Sequence, residues 1–209
     1  MRRIIFVGLI LCAIVPVVLY GDVKEPKTGV TFSETMNHDG TELILAGVGV
    51  RTRMIVKVYA GALYIDAAAK SALAQYKSQA SNPGQAAYDA IADGNFARMF
   101  VLHFVRDVDS GKITDAFREG LAKSIDLKAP DLQQDATAFL SASKIDMKEG
   151  QEMKIYLNGD EITVITPSGS SQPIKDPKLA GAVARIWLGK DPISEDLKKG
   201  MLNRLQQIL

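Results

Sequence analysis

The apolar positions of this chain change their period along its length. From Gly29 to Ile65 they fall in short runs broken by turn residues, which predicts three strands: 29–36, 42–50 and 54–65. Asn37-His38-Asp39-Gly40-Thr41 between the first two is a hairpin signal, and Arg51–Arg53 is where the chain is expected to turn or bulge. Helices are expected over 67–78 and 83–92, divided by the breaker cluster Ser81-Asn82-Pro83-Gly84. Phe96–Val105 returns to strand. Ile113, Phe117 and Leu121 then recur every four residues in a helix over 110–123, with Asp109 and Ser110 placed to cap it. A further helix over 131–143 precedes a hairpin, Glu152–Thr166, where Asn158 and Gly159 are expected to supply the positive φ of the turn. Pro177–Leu188 carries Leu179, Val183, Ile186 and Trp187 on one side. Asp191-Pro192 opens the last helix, whose stripe is Ile193, Leu197, Met201 and Leu205. Strands first and helices interleaved later predict an α+β fold, a mostly antiparallel sheet with helices packed on one side.

Alternation assigns faces within the strands. A regular strand through Glu42–Arg51 puts Leu43, Leu45, Gly47, Gly49 and Arg51 together. The next puts Ile55, Lys57, Tyr59, Gly61, Leu63 and Ile65 together. Glycines in a strand mark a close approach by something else, so space beside them with an arginine at its end is a slot for an acidic group. A guanidinium fork matches a carboxylate and a phenol adds a donor, so Arg51 with Tyr59 forms a candidate carboxylate or enolate site. Arg53 shares the parity of Arg51 and is an equal candidate by pattern. The same spacing also fits a solvated arginine and a core tyrosine. In the strand 96–105, Phe96, Phe100, Leu102 and Phe104 lie on one face and Met99, Val101, His103 and Val105 on the other. Such a strand is central, with helices expected on one side and a cavity on the other.

The N-terminus adds a compartment. Arg2 and Arg3, the apolar run Ile4–Val15 and the break at Pro16–Gly21 have the order of a secretory signal, so residues 1–21 are expected to direct 22–209 into the periplasm or outside the cell. The run to Tyr20 is also long enough to remain as an uncut membrane anchor. Cys12, the sole cysteine, lies inside that run, which excludes disulfides, thiolate metal sites and cysteine nucleophiles from the rest. Without residues 1–21 the net charge moves from +1 to −1, giving no electrostatic reason to bind nucleic acid. Two separated histidines, His38 and His103, make no metal motif; the first is expected solvated in a turn, the second hydrogen-bonded in the core. No phosphate loop and no G-x-S-x-G elbow is present. Arg106-Asp107 reads as a strand-end ion pair.

GVGVRTRMIVKVYAGALYI (47–65) resembles the signature of the chalcone isomerase-like family: G-x-G-x-R, a short turn, then K-V-Y-A-x-x-L-Y. FVLHFVRDVDSGKITDAFREGL (100–121) and ARIWLGKDPISEDLKKGML (184–202) resemble its later blocks, in the same order. The exported, cysteine-free form is similar to bacterial members. The resemblance implies an open-faced β-sandwich, an antiparallel sheet with a helical layer and a cleft, over a domain of 22–209. It also implies, from the fatty-acid-binding branch, that Arg51 and Tyr59 hold a carboxylate. The plant enzymes of this family carry threonine at the position of Tyr59 and a tyrosine that aligns with Ile113. These departures speak against chalcone cyclisation.

The function expected from the sequence is a non-catalytic periplasmic binder of a fatty acid or similar apolar carboxylate, held by Arg51 and Tyr59. It needs no cofactor, no metal and no catalytic residue, and its mature form has no membrane span. The alternative is an isomerase or lyase-type enzyme acting on an enone or chalcone-like substrate, with Arg51 as electrophile. A third reading is a partner-binding protein with a vestigial cleft.

Overall fold

The described chain opens with two short strands, β1 (Asp22–Lys24) and β2 (Thr31–Ser33), paired antiparallel. The computed structural model describes residues 21–209, so the expected signal segment lies outside the described residues but for Gly21. Next, β3 (Thr35–His38) turns through Asp39 and Gly40, at φ 49° and 80°, into β4 (Thr41–Arg53). A second tight turn, Met54-Ile55, leads into β5 (Val56–Asp66). The turn falls after Arg53, and of the two expectations for Arg51–Arg53 the structure shows the bulge, as a register slip between Arg51 and Thr52.

The helical region contains α1 (Ala69–Leu73), a 3-10 segment (Ala74–Gln79) and α2 (Gln85–Ala92). Then come β6 (Ala97–Phe104), α3 (Ser110–Ala122) and α4 (Gln133–Ala142). The expected hairpin is β7 (Glu152–Asn158) and β8 (Glu161–Thr166), with Asn158 paired to Glu161. Its turn residues are therefore Gly159 and Asp160; Gly159 takes φ 60°, while Asn158 stays in the strand. Two-residue strands β9 (Gly169–Ser170) and β10 (Ile174–Lys175) follow, then α5 (Pro177–Leu188) and α6 (Glu195–Met201).

Strands pair antiparallel throughout, in the order β10-β8-β7-β6-β5-β4-β3, with β9 against β8. The helices pack on one face, where Leu63, Phe100, Leu102 and Ile155 meet Phe117, Phe139, Val183 and Trp187. The opposite face buries Leu45, Val48, Ala62, Tyr64 and Met99 beneath Phe32 of β2. This agrees with the expected α+β architecture, and both faces of β6 are covered as its sequence requires. The outer face is closed by the N-terminal strands; the cavity lies on the helical side.

Capping chemistry sets the helices nearest the site. Asp176 accepts from Leu179 N at 2.8 Å and Pro177 stands at the first turn of α5. Ser194 accepts from Leu197 N at 3.3 Å and starts α6. At α3 the expected caps are displaced: Asp146 takes the Ser110 N–H at 2.7 Å, and Asp109 pairs with Lys112.

Two bulges reset the strand faces. The β4–β5 register slips between Leu45 and Gly47 and again between Arg51 and Thr52. Leu43 and Leu45 therefore belong to the outer core, while Gly47, Gly49 and Arg51 face the helices opposite Leu63, Gly61 and Tyr59. The second slip sends Lys57 to the outer side, where its ammonium donates to the Lys27 carbonyl, and leaves Val58 beside Tyr59 on the helical side. Neither expected five- or six-residue face survives whole.

Candidate functional site

The glycines do not make the expected slot for an acidic group. A Cβ on Gly49 would lie 3.1 Å from Gly200 Cα, and one on Gly200 would lie 2.6 Å from Gly49 Cα. A Cβ on Gly47 would run into the Gly200 carbonyl oxygen and Asn203, and one on Gly61 into Leu197 and Met201. The close approach they permit is that of the chain's own helix α6. Asn203 completes the seam by accepting from Val48 N and donating to Val48 O.

Past Gly49 and Gly61 the helix no longer covers the sheet, and a cavity of about 300 Å³ opens. Its sheet wall is Val56, Val58, Tyr59, Leu102 and Phe104; its helical wall is Ile113, Ala116 and Phe117 of α3. Arg51, Arg53, Arg106 and Lys112 line its polar part. The Ile113–Phe117 stripe read as buried in the sequence is thus the lid of the cavity as well as a core face.

Arg51 and Tyr59 are direct partners across β4 and β5. The Arg51 guanidinium carbon stands 5.8 Å from the centre of the Tyr59 ring. Tyr59 is only 2% exposed, its ring 5.6 Å from that of Phe104. Its hydroxyl accepts from Trp187 Nε1 at 3.0 Å, and no described residue accepts its proton. Burial pushes the phenol's pKa up, with the Arg51 charge, the Trp187 hydrogen bond and a hydrogen bond from Arg51 pulling the other way. Tyr59 is therefore held as a neutral donor. An oxygen that already accepts an N–H is polarised toward donating its own proton.

Trp187 is fixed in turn. Its indole stacks on Phe100 at 4.6 Å and meets Phe117 edge-on at 5.9 Å. The sequence marked Trp187 as the buried side of a helix but gave no sign that its N–H reaches Tyr59, since the two lie far apart in the chain.

Arg51 makes no ion pair with a described residue. Arg53, the equal candidate by pattern, also lines the cavity but is exposed at the hairpin end, opposite Val56. Arg106 does not pair with Asp107 as expected. Asp107 binds Lys148 at 2.8 Å, and that hydrogen bond holds its carboxyl below the usual range. Arg106 is released to the cavity, a cation the sequence reading missed.

The histidines lie elsewhere. His103 is half-buried on the outer side, 3.3 Å from Glu152, and is not a core residue, because its face of β6 reaches solvent at that end. His38 packs edge-on against Tyr156 at 4.3 Å. Among the described residues no three His, Cys, Asp or Glu side chains cluster to hold a metal. No helix among them is long and apolar enough to cross a membrane.

By sequence no curated protein matches the chain. In fold it is similar to the crystal structure of a fatty-acid binding protein of Arabidopsis thaliana, with a TM-score of 0.74 and 17% identity, over 90% of this chain and 98% of that one. The family model described as chalcone isomerase-like matches residues 25–203. With nearly every described strand and helix inside that match, the chain belongs to the chalcone isomerase-like family.

Proposed function

We propose that this protein binds a fatty acid or a similar apolar carboxylate without transforming it, and that it does so in the periplasm. The observation that carries the reading is the pairing of Arg51 with a Tyr59 hydroxyl whose proton is free, at one side of an apolar cavity. Arg51 meets the carboxylate with its planar fork and Tyr59 donates to the same group. Val58, Leu102, Phe104, Ile113 and Phe117 receive the chain, each buried methylene contributing roughly 0.8 kcal/mol. Affinity then grows with chain length, and the arginine selects the head group. The fatty-acid binding protein that shares this fold supports the ligand class. The order of residues 1–21 supports the compartment.

Binding suits these walls better than turnover. Asp107, the one carboxylate among the lining residues, is engaged by Lys148, and Ile113 brings no hydroxyl. Titration with palmitate and with hexadecanol tests the reading. Palmitate is expected to bind at least about tenfold more tightly, the difference a charge-assisted hydrogen bond supplies. Equal affinity for both, or none for either, would remove the proposal. Turnover of an enone that is lost in Arg51→Ala would replace it with the isomerase reading.

A further inference from the structure

The turn between β4 and β5 is built from large apolar residues, unlike the other hairpin turns of the sheet. The turns on either side of the central strands use Asp39-Gly40 and Gly159-Asp160, with Asp39, Gly40 and Gly159 at positive φ, and the β8–β9 turn uses Pro167-Ser168, all polar or turn-forming residues. This one uses Met54-Ile55, with Met54 itself at φ 57°. A methionine there is conformationally costly compared with glycine or asparagine. Met54 is 94% exposed and Ile55 93%; with Val56 at 39% they are the exposed large hydrophobic residues among those described. Every such residue thus sits on one three-residue tip, at the rim of the cavity.

On its cavity side the tip is flanked by positive charge, while Asp115, paired with Arg118, and Glu119 lie farther back along α3 beside Arg51 and Arg53. Arg51, Arg53 and Arg106 lie beside it without an ion pair to any described residue. Lys112 is there too, shared with Asp109 at 2.6 Å. The one acid of the cavity lining, Asp107, is neutralised by Lys148. Two fully exposed apolar side chains with unpaired arginines behind them match the layering of an anionic phospholipid surface. The apolar tip enters the acyl boundary and the guanidinium groups stay at the phosphates. A protein partner fits less well, because so narrow a tip presents little of the area and none of the aromatic anchors that a stable protein interface uses.

We propose that the β4–β5 tip docks on an anionic phospholipid bilayer and brings the cavity mouth against it. The docking stands on the tip alone. That the cavity draws an acyl ligand from the touched bilayer rests on the fatty-acid reading above.

The test is cosedimentation of the chain from Asp22 onward, which holds every described strand and helix, with phosphatidylcholine vesicles containing or lacking phosphatidylglycerol. The expected result is binding to the anionic vesicles that weakens with added salt. Ile55→Asp should reduce it by about tenfold or more, since it places a charge where a methyl-bearing chain inserted. Ile55 does not line the cavity, so the affinity of Ile55→Asp for palmitate in vesicle-free solution should match the parent. Sedimentation reads docking without ligand and the titration reads the cavity without membrane, so the two proposals fail separately. A parent that stays in the supernatant with anionic vesicles, or an Ile55→Asp variant that sediments like the parent, would overturn the docking.

Discussion

The two halves of the β4–β5 ribbon share strands and a face but meet different partners. In one half Gly47, Gly49 and Gly61 let α6 lie directly on the sheet, with Gly200 seated on Gly49. In the other half, Arg51 and Tyr59 replace glycine, α6 has ended its cover, and a cavity opens under α3. Absence of side chains closes the sheet against its own helix; presence of large ones holds the helical layer off. Gly47, Gly49 and Gly61 are therefore packing residues here, and the cavity begins where these glycines stop.

The sharpest way to break this contrast is to put bulk into the closed half. Gly47→Val drives methyl groups into the Gly200 carbonyl and Asn203, which as backbone and anchored side chain cannot swing away. About 3 kcal/mol or more of stability should be lost in urea unfolding, at the upper end of overpacking costs. If Gly47→Val unfolded like the parent, α6 would not be held by the glycine seam.

A change in the open half should act differently. Tyr59→Phe leaves the Trp187 N–H buried without an acceptor, at a cost of about 1–3 kcal/mol. It also removes one donor to the ligand, so palmitate affinity should fall by roughly tenfold. Loss of stability without loss of affinity would assign Tyr59 to packing alone.

A smaller effect separates the two faces of the ribbon. Tyr59 and Tyr64 both have raised pKa values, from burial first; for Tyr59 the Arg51 charge offsets part of this, and for Tyr64 the charges of Glu152 and Asp22 add to it. Unfolded, both lose their protons near the ordinary value of about 10. Above that pH the folded chain holds more protons than the unfolded one, so this contribution to stability is full below pH ~10 and is lost as pH rises beyond it. Tyr64 donates to Ser33 O on the outer side. Tyr64→Phe should therefore flatten the alkaline decline in melting temperature while leaving palmitate affinity unchanged. A decline as steep in Tyr64→Phe as in the parent would rule out Tyr64 as its source.

The fold was legible where local chemistry decides it. The span and stripe of α5 and the apolar faces of β6 read directly from residue spacing, whereas the last helix starts at Glu195 behind Ser194 and not at Asp191-Pro192. Arg51 and Tyr59 were read together from the residues, but their direct pairing depends on the Val58 bulge, since a regular register from the Met54-Ile55 turn would set Arg51 opposite Val58. The bulge at Ala46 left no mark in the alternation, and although a turn or bulge was expected at Arg51–Arg53, nothing marked Val58 on the facing strand as the inserted residue. The glycines misled for a related reason: a missing side chain states that something comes close, not whether it is a ligand or Gly200. Arg106 misled because its sequence neighbour Asp107 was nearer than Lys148, which arrives from beyond α4. The Trp187–Tyr59 hydrogen bond needed the tertiary fold.

Palmitate titration of Arg51→Ala distinguishes a carboxylate site in the open half from leftover space. Arg51 is only half-buried and has no described ion-pair partner, so its removal should change stability by no more than about 0.5 kcal/mol. Palmitate affinity should nevertheless fall between about tenfold and a hundredfold, hexadecanol should be unaffected, and Arg53→Ala should cost less than Arg51→Ala. Palmitate binding as tight in Arg51→Ala as in the parent would contradict the carboxylate site.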